Sequence, residues 1–197
     1  MMRSMAGLWL WAVLALSGCV SVEKVESGSK TLGERMTVTL EGAWNQLNAP
    51  GLGPAQVWTM EGTLVDQLLL YSGLPDNEAV HATGGAQQPD GERKTFRFRS
   101  TMGGDEIASL FQGMLTRDGS RYTLEKLEPM DFGGVKGFRF EFVLIRKLDN
   151  VRLLGRGYGA VSKGQLFAML YMAPRLTFFA RHSARVENIA RSARIRE

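Results

Sequence analysis

Cysteine and histidine are nearly missing from this chain of 197 residues, with one of the first and two of the second. One cysteine excludes an internal disulfide. The two histidines, His81 and His182, have no further donors at metal-ligand spacing and so make no zinc-type site. Ser100, Ser109 and Ser162 lack the Gly-x-Ser-x-Gly surround of a nucleophile elbow, leaving a Ser-His-Asp set without support. Gly155-Arg156-Gly157-Tyr158-Gly159 lacks the lysine and hydroxyl residue of a phosphate loop. It reads instead as glycine within a strand, marking a bulge or a close approach. Asp131-Phe132-Gly133 lacks the other loops of a kinase. The formal charge of +4 is too mild over this length to indicate nucleic acid as a partner. No catalytic residue, metal or cofactor is expected.

The N-terminus carries the strongest signal. Arg3 is followed by a twelve-residue uncharged core, Met5 to Leu16, and then by Ser17, Gly18 and Cys19. That core suits a removable secretory signal and falls short of the ~20 residues of a spanning helix. Leu16-Ser17-Gly18-Cys19 resembles the lipobox of bacterial lipoproteins at all four positions. The resemblance implies cleavage between Gly18 and Cys19, a diacylglyceryl group on the Cys19 sulfur and fatty acylation (a palmitate-type chain) of its new amine. Val20 in place of aspartate implies, by the enteric sorting rule, the outer membrane and its periplasmic face. The division expected from sequence is 1–18 signal peptide, 19–34 lipidated cysteine and flexible tether, and 35–197 a single globular domain. Val20 to Gly33 reads as the tether because it is polar, mixed in charge and contains Ser27-Gly28-Ser29.

Apolar periodicity places strands at Arg35–Leu40, Gln56–Met60, Thr95–Arg99, Arg121–Leu127, Gly137–Lys147, Val151–Val161 and Gln165–Ala173. Leu64–Tyr71 is short and apolar; helix and strand nearly tie there, with strand favoured. Pro50-Gly51-Leu52-Gly53-Pro54 reads as a loop, and Thr83–Arg93 as the most mobile segment. Ile107, Leu110, Phe111, Met114 and Leu115 recur at helical spacing, with Asp105 as the expected N-cap. Phe138, Phe140, Phe142 and Leu144 share one face of a strand, and Gln165–Ala173 reads as a central strand covered on both sides. Pro174 is expected to open a C-terminal amphipathic helix carrying Phe178, Phe179, His182, Val186, Ile189, Ala190 and Ala193 on its apolar arc.

The expected fold class is α+β: a twisted antiparallel sheet with a C-terminal meander, packed by a mid-chain helix and a long C-terminal amphipathic helix. The order of elements over Phe138–Ile195, with a hydrophobic strand ending in Tyr171-Met172-Ala173-Pro174, is similar to the Mog1/PsbP-like fold. That resemblance implies a non-enzymatic protein that binds or assists a larger complex. The segments Arg35–Asn45 and Trp58–Gly62 also look like those of uncharacterised bacterial envelope proteins.

Candidate site residues follow from chemistry. Arg181, Arg185, Arg191 and Arg194 form a basic helix face that could meet anionic lipid, against the plainer reading of a solvated surface. Trp44 and Trp58 could line a binding surface, with core packing favoured. His182 reads as a hydrogen-bonded core histidine. The leading expectation is a lipid-anchored, non-enzymatic envelope lipoprotein that binds a protein partner. The alternative is a periplasmic small-ligand or lipid carrier, with an apolar pocket lined by Phe138, Phe140, Phe142 and Met169–Met172. A third, lesser option is an enzyme using paired carboxylates such as Asp105 with Glu106 or Asp76 with Glu78.

Overall fold

A computed structural model of the chain describes residues 21–49, 52–81 and 95–196. In chain order these form β1 (Ser21–Val25), β2 (Gly28–Leu32), β3 (Met36–Leu40), β4 (Trp44–Asn48), β5 (Gln56–Thr59) and β6 (Gln67–Leu74). Then come α1 (Gly104–Leu115), β7 (Arg121–Phe132), β8 (Val135–Ile145), β9 (Arg152–Ser162), β10 (Gln165–Pro174), α2 (Phe178–Ser192) and β11 (Arg194–Ile195). Eight strands pair antiparallel in the order β1-β4-β5-β6-β10-β9-β8-β7, and a smaller sheet runs β11-β3-β2. The architecture is α+β, and β8, β9 and β10 form the expected meander.

The middle of the large sheet is buried on both faces, and β10 there is apolar at every interior position. Leu166, Ala168, Leu170 and Met172 join one core with Ile107, Leu110 and Phe111 of α1. Phe167, Met169, Tyr171 and Ala173 join a second core with Val186, Ile189 and Ala190 of α2 and with Leu32, Met36, Val38 and Leu40 of the small sheet. Alternation along a strand thus sorts one segment into two cores.

The α1 side is organised by glycine. Phe138, Phe140 and Phe142 of β8 stand opposite Gly159, Gly157 and Gly155 of β9. A Cβ at Gly155 would come 2.0 Å from the Phe142 ring, and one at Gly157 2.1 Å from that of Phe140. The rings therefore lie flat over bare backbone. They stack in a column at 6.1 Å (Phe138–Phe140) and 5.8 Å (Phe140–Phe142), extended by Tyr122 at 4.9 Å. Phe111 of α1 stacks on Phe140 at 6.2 Å. The glycine run, expected to mark a bulge or a close backbone approach, has no bulge, and what comes close to it is rings rather than a neighbouring backbone.

Several expectations need correction. The supposed tether is not a tether from Ser21 onward: β1 pairs along its length with β4, and β2 with β3. Edge strands are held by backbone hydrogen bonds, so a polar sequence with one buried side chain, Leu32, suffices. Leu64–Tyr71 resolves as strand, shifted to β6. Thr95–Arg99 makes only a single bridge, Ala79 with Arg97, although Phe98 is fully buried. The α1 N-cap is Gly103, whose N–H donates to Glu106 Oε2 at 2.9 Å, rather than Asp105. Pro174 closes β10, paired with Leu153, instead of opening a helix. The ladder continues through Arg175 N–H to the Arg152 carbonyl, and Thr177 then turns the chain with φ +74°. The expectation for Thr83–Arg93 lies outside the described residues.

If the glycine run is what lets the rings lie down, Gly157→Ala should destabilise the fold by about 1–3 kcal/mol through overpacking. Combining it with Phe140→Leu should cost less than the two single changes summed. Urea unfolding of the three variants measures this directly.

Candidate functional site

The most connected polar group on the molecule crosses β7, β8, β9 and α2. Strand alternation places Arg139 and Glu141 on the face of β8 opposite its phenylalanines, and Arg156 and Tyr158 on the matching face of β9. Arg156 donates through Nη1 to Glu187 Oε2 at 3.2 Å and through Nε to Glu141 Oε1 at 3.2 Å. Tyr158 Oη donates to the same Glu187 oxygen at 2.7 Å. Arg139 bridges Glu141 and Glu128, Lys126 meets Glu128, and Arg191 closes on Glu187 at 3.1 Å. The Arg156 guanidinium also lies over the Phe179 ring at 5.8 Å. Charges of opposite sign alternate along the chain, so each is compensated. The network fastens α2 to the sheet where its apolar stripe ends.

Burial works to raise the Glu187 carboxyl. The Tyr158 hydroxyl and the Arg139 and Arg156 charges outweigh it and hold the group below its ordinary value of 4.5. Tyr158 moves upward because burial, and then its bond to the glutamate, disfavour the phenolate. It remains a hydrogen-bond donor.

A second cluster joins α2 to the turn after β5. His182, buried on the helix's apolar face, places Nε2 2.9 Å from Glu61 Oε1, and Arg181 donates to the same oxygen at 2.9 Å. The His182 contact, and after it Arg181, lowers the Glu61 carboxyl. The turn itself is built by Asp66, only 1% exposed, which accepts from Thr59 Oγ1 at 2.6 Å and from the Glu61 amide at 2.8 Å. Nothing in the local sequence distinguishes Asp66 from a solvated turn residue; its burial follows from the pairing of β5 with β6.

The four arginines singled out from sequence fall on or just beyond α2, each with a contact inside the molecule. Arg181 pairs with Glu61, and Arg191 with Glu187. Arg185 reaches the Met60 sulfur at 3.7 Å. Arg194 donates to the Arg191 carbonyl at 3.1 Å. Cys19 and Gly18 lie outside the described residues. Trp44 and Trp58 are buried in the α2-side core. His81 Nε2 accepts from the Phe96 amide at 3.3 Å. Asp76 accepts from the Ser100 amide and Glu106 from the Gly103 amide at the α1 N-terminus, while Asp105 borders, with Glu128 and Lys136, the groove beside Phe138.

Phe140 and Phe142 do not line a pocket: they pack against Phe111, Tyr122 and the glycines of β9. Phe138 borders a surface groove of about 520 Å³ beside Ile107, Leu127 and Pro129. Met172 borders another of about 300 Å³. Among the described residues, no three His, Cys, Asp or Glu side chains come together as a metal site, and no helix is long and apolar enough to cross a membrane.

No family model matches this chain, and no curated protein matches it by sequence. A solved structure does resemble it: the solution structure of cyanobacterial PsbP (CyanoP) from Synechocystis sp. PCC 6803. The two superpose with a TM-score of 0.57 over 95% of this chain and 98% of that one, at 11% identity. The likeness establishes a PsbP-like fold.

Arg156 links two glutamates, so Arg156→Met should cost about 1–3 kcal/mol by removing a shared partner from both. Arg191→Met, at an exposed position, should stay within about 0.5 kcal/mol of the parent. Denaturant unfolding decides between them. A depressed Glu187 contributes stability above the ordinary glutamate value, lost as pH falls through the folded-state value. Glu187→Gln should therefore flatten that part of the acid limb of a stability–pH curve.

Proposed function

We propose that this protein is a lipid-anchored lipoprotein of the bacterial cell envelope, held through Cys19, whose PsbP-like domain serves as a non-enzymatic binding or accessory module for an envelope assembly. The observation that carries the reading is the complete Leu-Ser-Gly-Cys pattern directly behind a charged start and a twelve-residue apolar core. The single cysteine fits it, since the thiol is spent on lipid and the folded part needs no disulfide. Burying acyl chains contributes about 0.8 kcal/mol per CH₂, and two or three chains make release from a bilayer very slow. Val20 supports the outer membrane as the destination.

The packing favours a binding module over a carrier. The phenylalanines that would have lined an apolar chamber fill one another's space, and the grooves that exist are open at the surface. His182, Glu61 and Glu187 are tied into structural pairs.

Cys19→Ala should abolish membrane retention of the full-length protein and block processing at Gly18–Cys19. Fractionation of cells, with immunodetection of precursor and mature forms, reads both. A variant that stays membrane-bound after high-salt and carbonate washing, cut at the same bond, contradicts the anchor. Crosslinking in intact cells, followed by identification of the attached proteins, tests the accessory role.

A further inference from the structure

The sheet begins at Ser21, so a single residue, Val20, separates Cys19 from the first residue of β1. At ~3.3–3.6 Å per residue, a chain carrying lipid on Cys19 holds the start of β1 within about 7 Å of the attachment point. A long tether would leave the domain free to tumble; this connection fixes which side meets the bilayer.

The surface at that point has a character of its own. Ser21 pairs with Asn48 at the end of β4, and the chain from Gly42 to Met60 contains no ionisable side chain. Ser21, Leu47, Ala49, Leu52 and Gln56 line a shallow groove of about 460 Å³ with no charged residue on its wall. An apolar row leads out of the α1-side core towards this edge: Leu170 opposes Leu69, Leu69 opposes Val57, Val57 opposes Leu47, and Leu47 opposes Val22. Burial fails along the row, and Val22 ends it 63% exposed. By strand alternation Glu23 belongs to the opposite face of β1, while Lys24 shares the face of Val22 and pairs with Glu26 at 2.9 Å.

We infer that the edge formed by β1, the end of β4 and Leu52 is the bilayer-facing surface of the anchored protein, with Val22, Leu47 and Leu52 entering the headgroup region as an uncharged footing beside the acyl chains. The occupant is lipid rather than a protein segment, because the residue that carries the lipid lies next to the patch in the chain. The groove wall carries no ion to desolvate, and Lys24 at its margin suits anionic headgroups. The arginines of α2 pack with the opposite core and stay in water.

This inference rests on the anchored-lipoprotein reading, and the test separates the two. Lipidation consumes the natural thiol, so a bimane label reports only an added cysteine in purified, lipidated full-length protein in phosphatidylglycerol/phosphatidylethanolamine vesicles. The positions are Val22→Cys and Leu52→Cys at the footing, Arg185→Cys on α2, and Leu148→Cys in the β8–β9 turn. Phospholipids brominated high on their chains probe the ~5–10 Å depth that interfacial segments reach. The footing labels should shift to shorter wavelength and be quenched at least about two-fold more than those at Arg185 and Leu148. Equal, weak quenching at all four sites in vesicle-bound protein overturns the footing and leaves the anchor standing. Strongest quenching at Arg185 overturns it in favour of the basic helix. Protein that does not float with the vesicles overturns the anchor and the footing together.

Discussion

Three phenylalanines lying across three glycines set the geometry of this molecule. Because Gly155, Gly157 and Gly159 present no Cβ, the rings of Phe142, Phe140 and Phe138 fold down onto β9 and form a flat aromatic column. That column is the floor on which α1 rests through Phe111. Larger residues on β9 would lift the rings, and α1 with them. The space that the missing side chains would leave is filled by neighbours' rings.

The opposite face uses a mixed solution. Apolar residues of α2 cover the middle of the sheet, and the charged chain from Lys126 through Arg156 to Arg191 takes over where that stripe ends. Glu61 and His182 fasten the helix near its start, and Glu187 fastens it further along. The helix is therefore fixed at two points by groups whose charges are matched within the domain.

The elements legible in the sequence were those with strong periodicity. β8, β9 and β10 follow from alternation in Phe138–Leu144 and the unbroken apolar run of Gln165–Ala173, and α1 from Ile107, Leu110 and Phe111 at helical spacing. Four strands carry too little apolar alternation to be marked by it: β1 and β2 bury almost nothing, β4 is Asn- and Gln-rich behind the buried Trp44, and β11 is two residues long; backbone pairing holds them. The polar clusters were partly visible. His182 stood out on an apolar arc, but its partner Glu61 lies 121 residues away. Arg156, Glu141 and Glu187 come from three elements whose adjacency only the sheet order creates, and Asp66 sits unmarked inside the apolar run Leu64–Tyr71. The arginines of α2 were visible as a group, while their separate attachments within the molecule were not.

The proposed reading joins a PsbP-like fold, the Leu-Ser-Gly-Cys pattern and the β1 edge that follows it into an envelope module seated on its membrane. Everything in that account depends on the chemistry at one sulfur atom. Mass spectrometry of the mature N-terminal peptide, isolated from the membranes of the cell that makes it, tests it most directly. The account predicts a chain starting at Cys19 with a diacylglyceryl group on sulfur and an acyl chain on its amine. An intact leader, or a chain cut elsewhere with a free thiol, would contradict it.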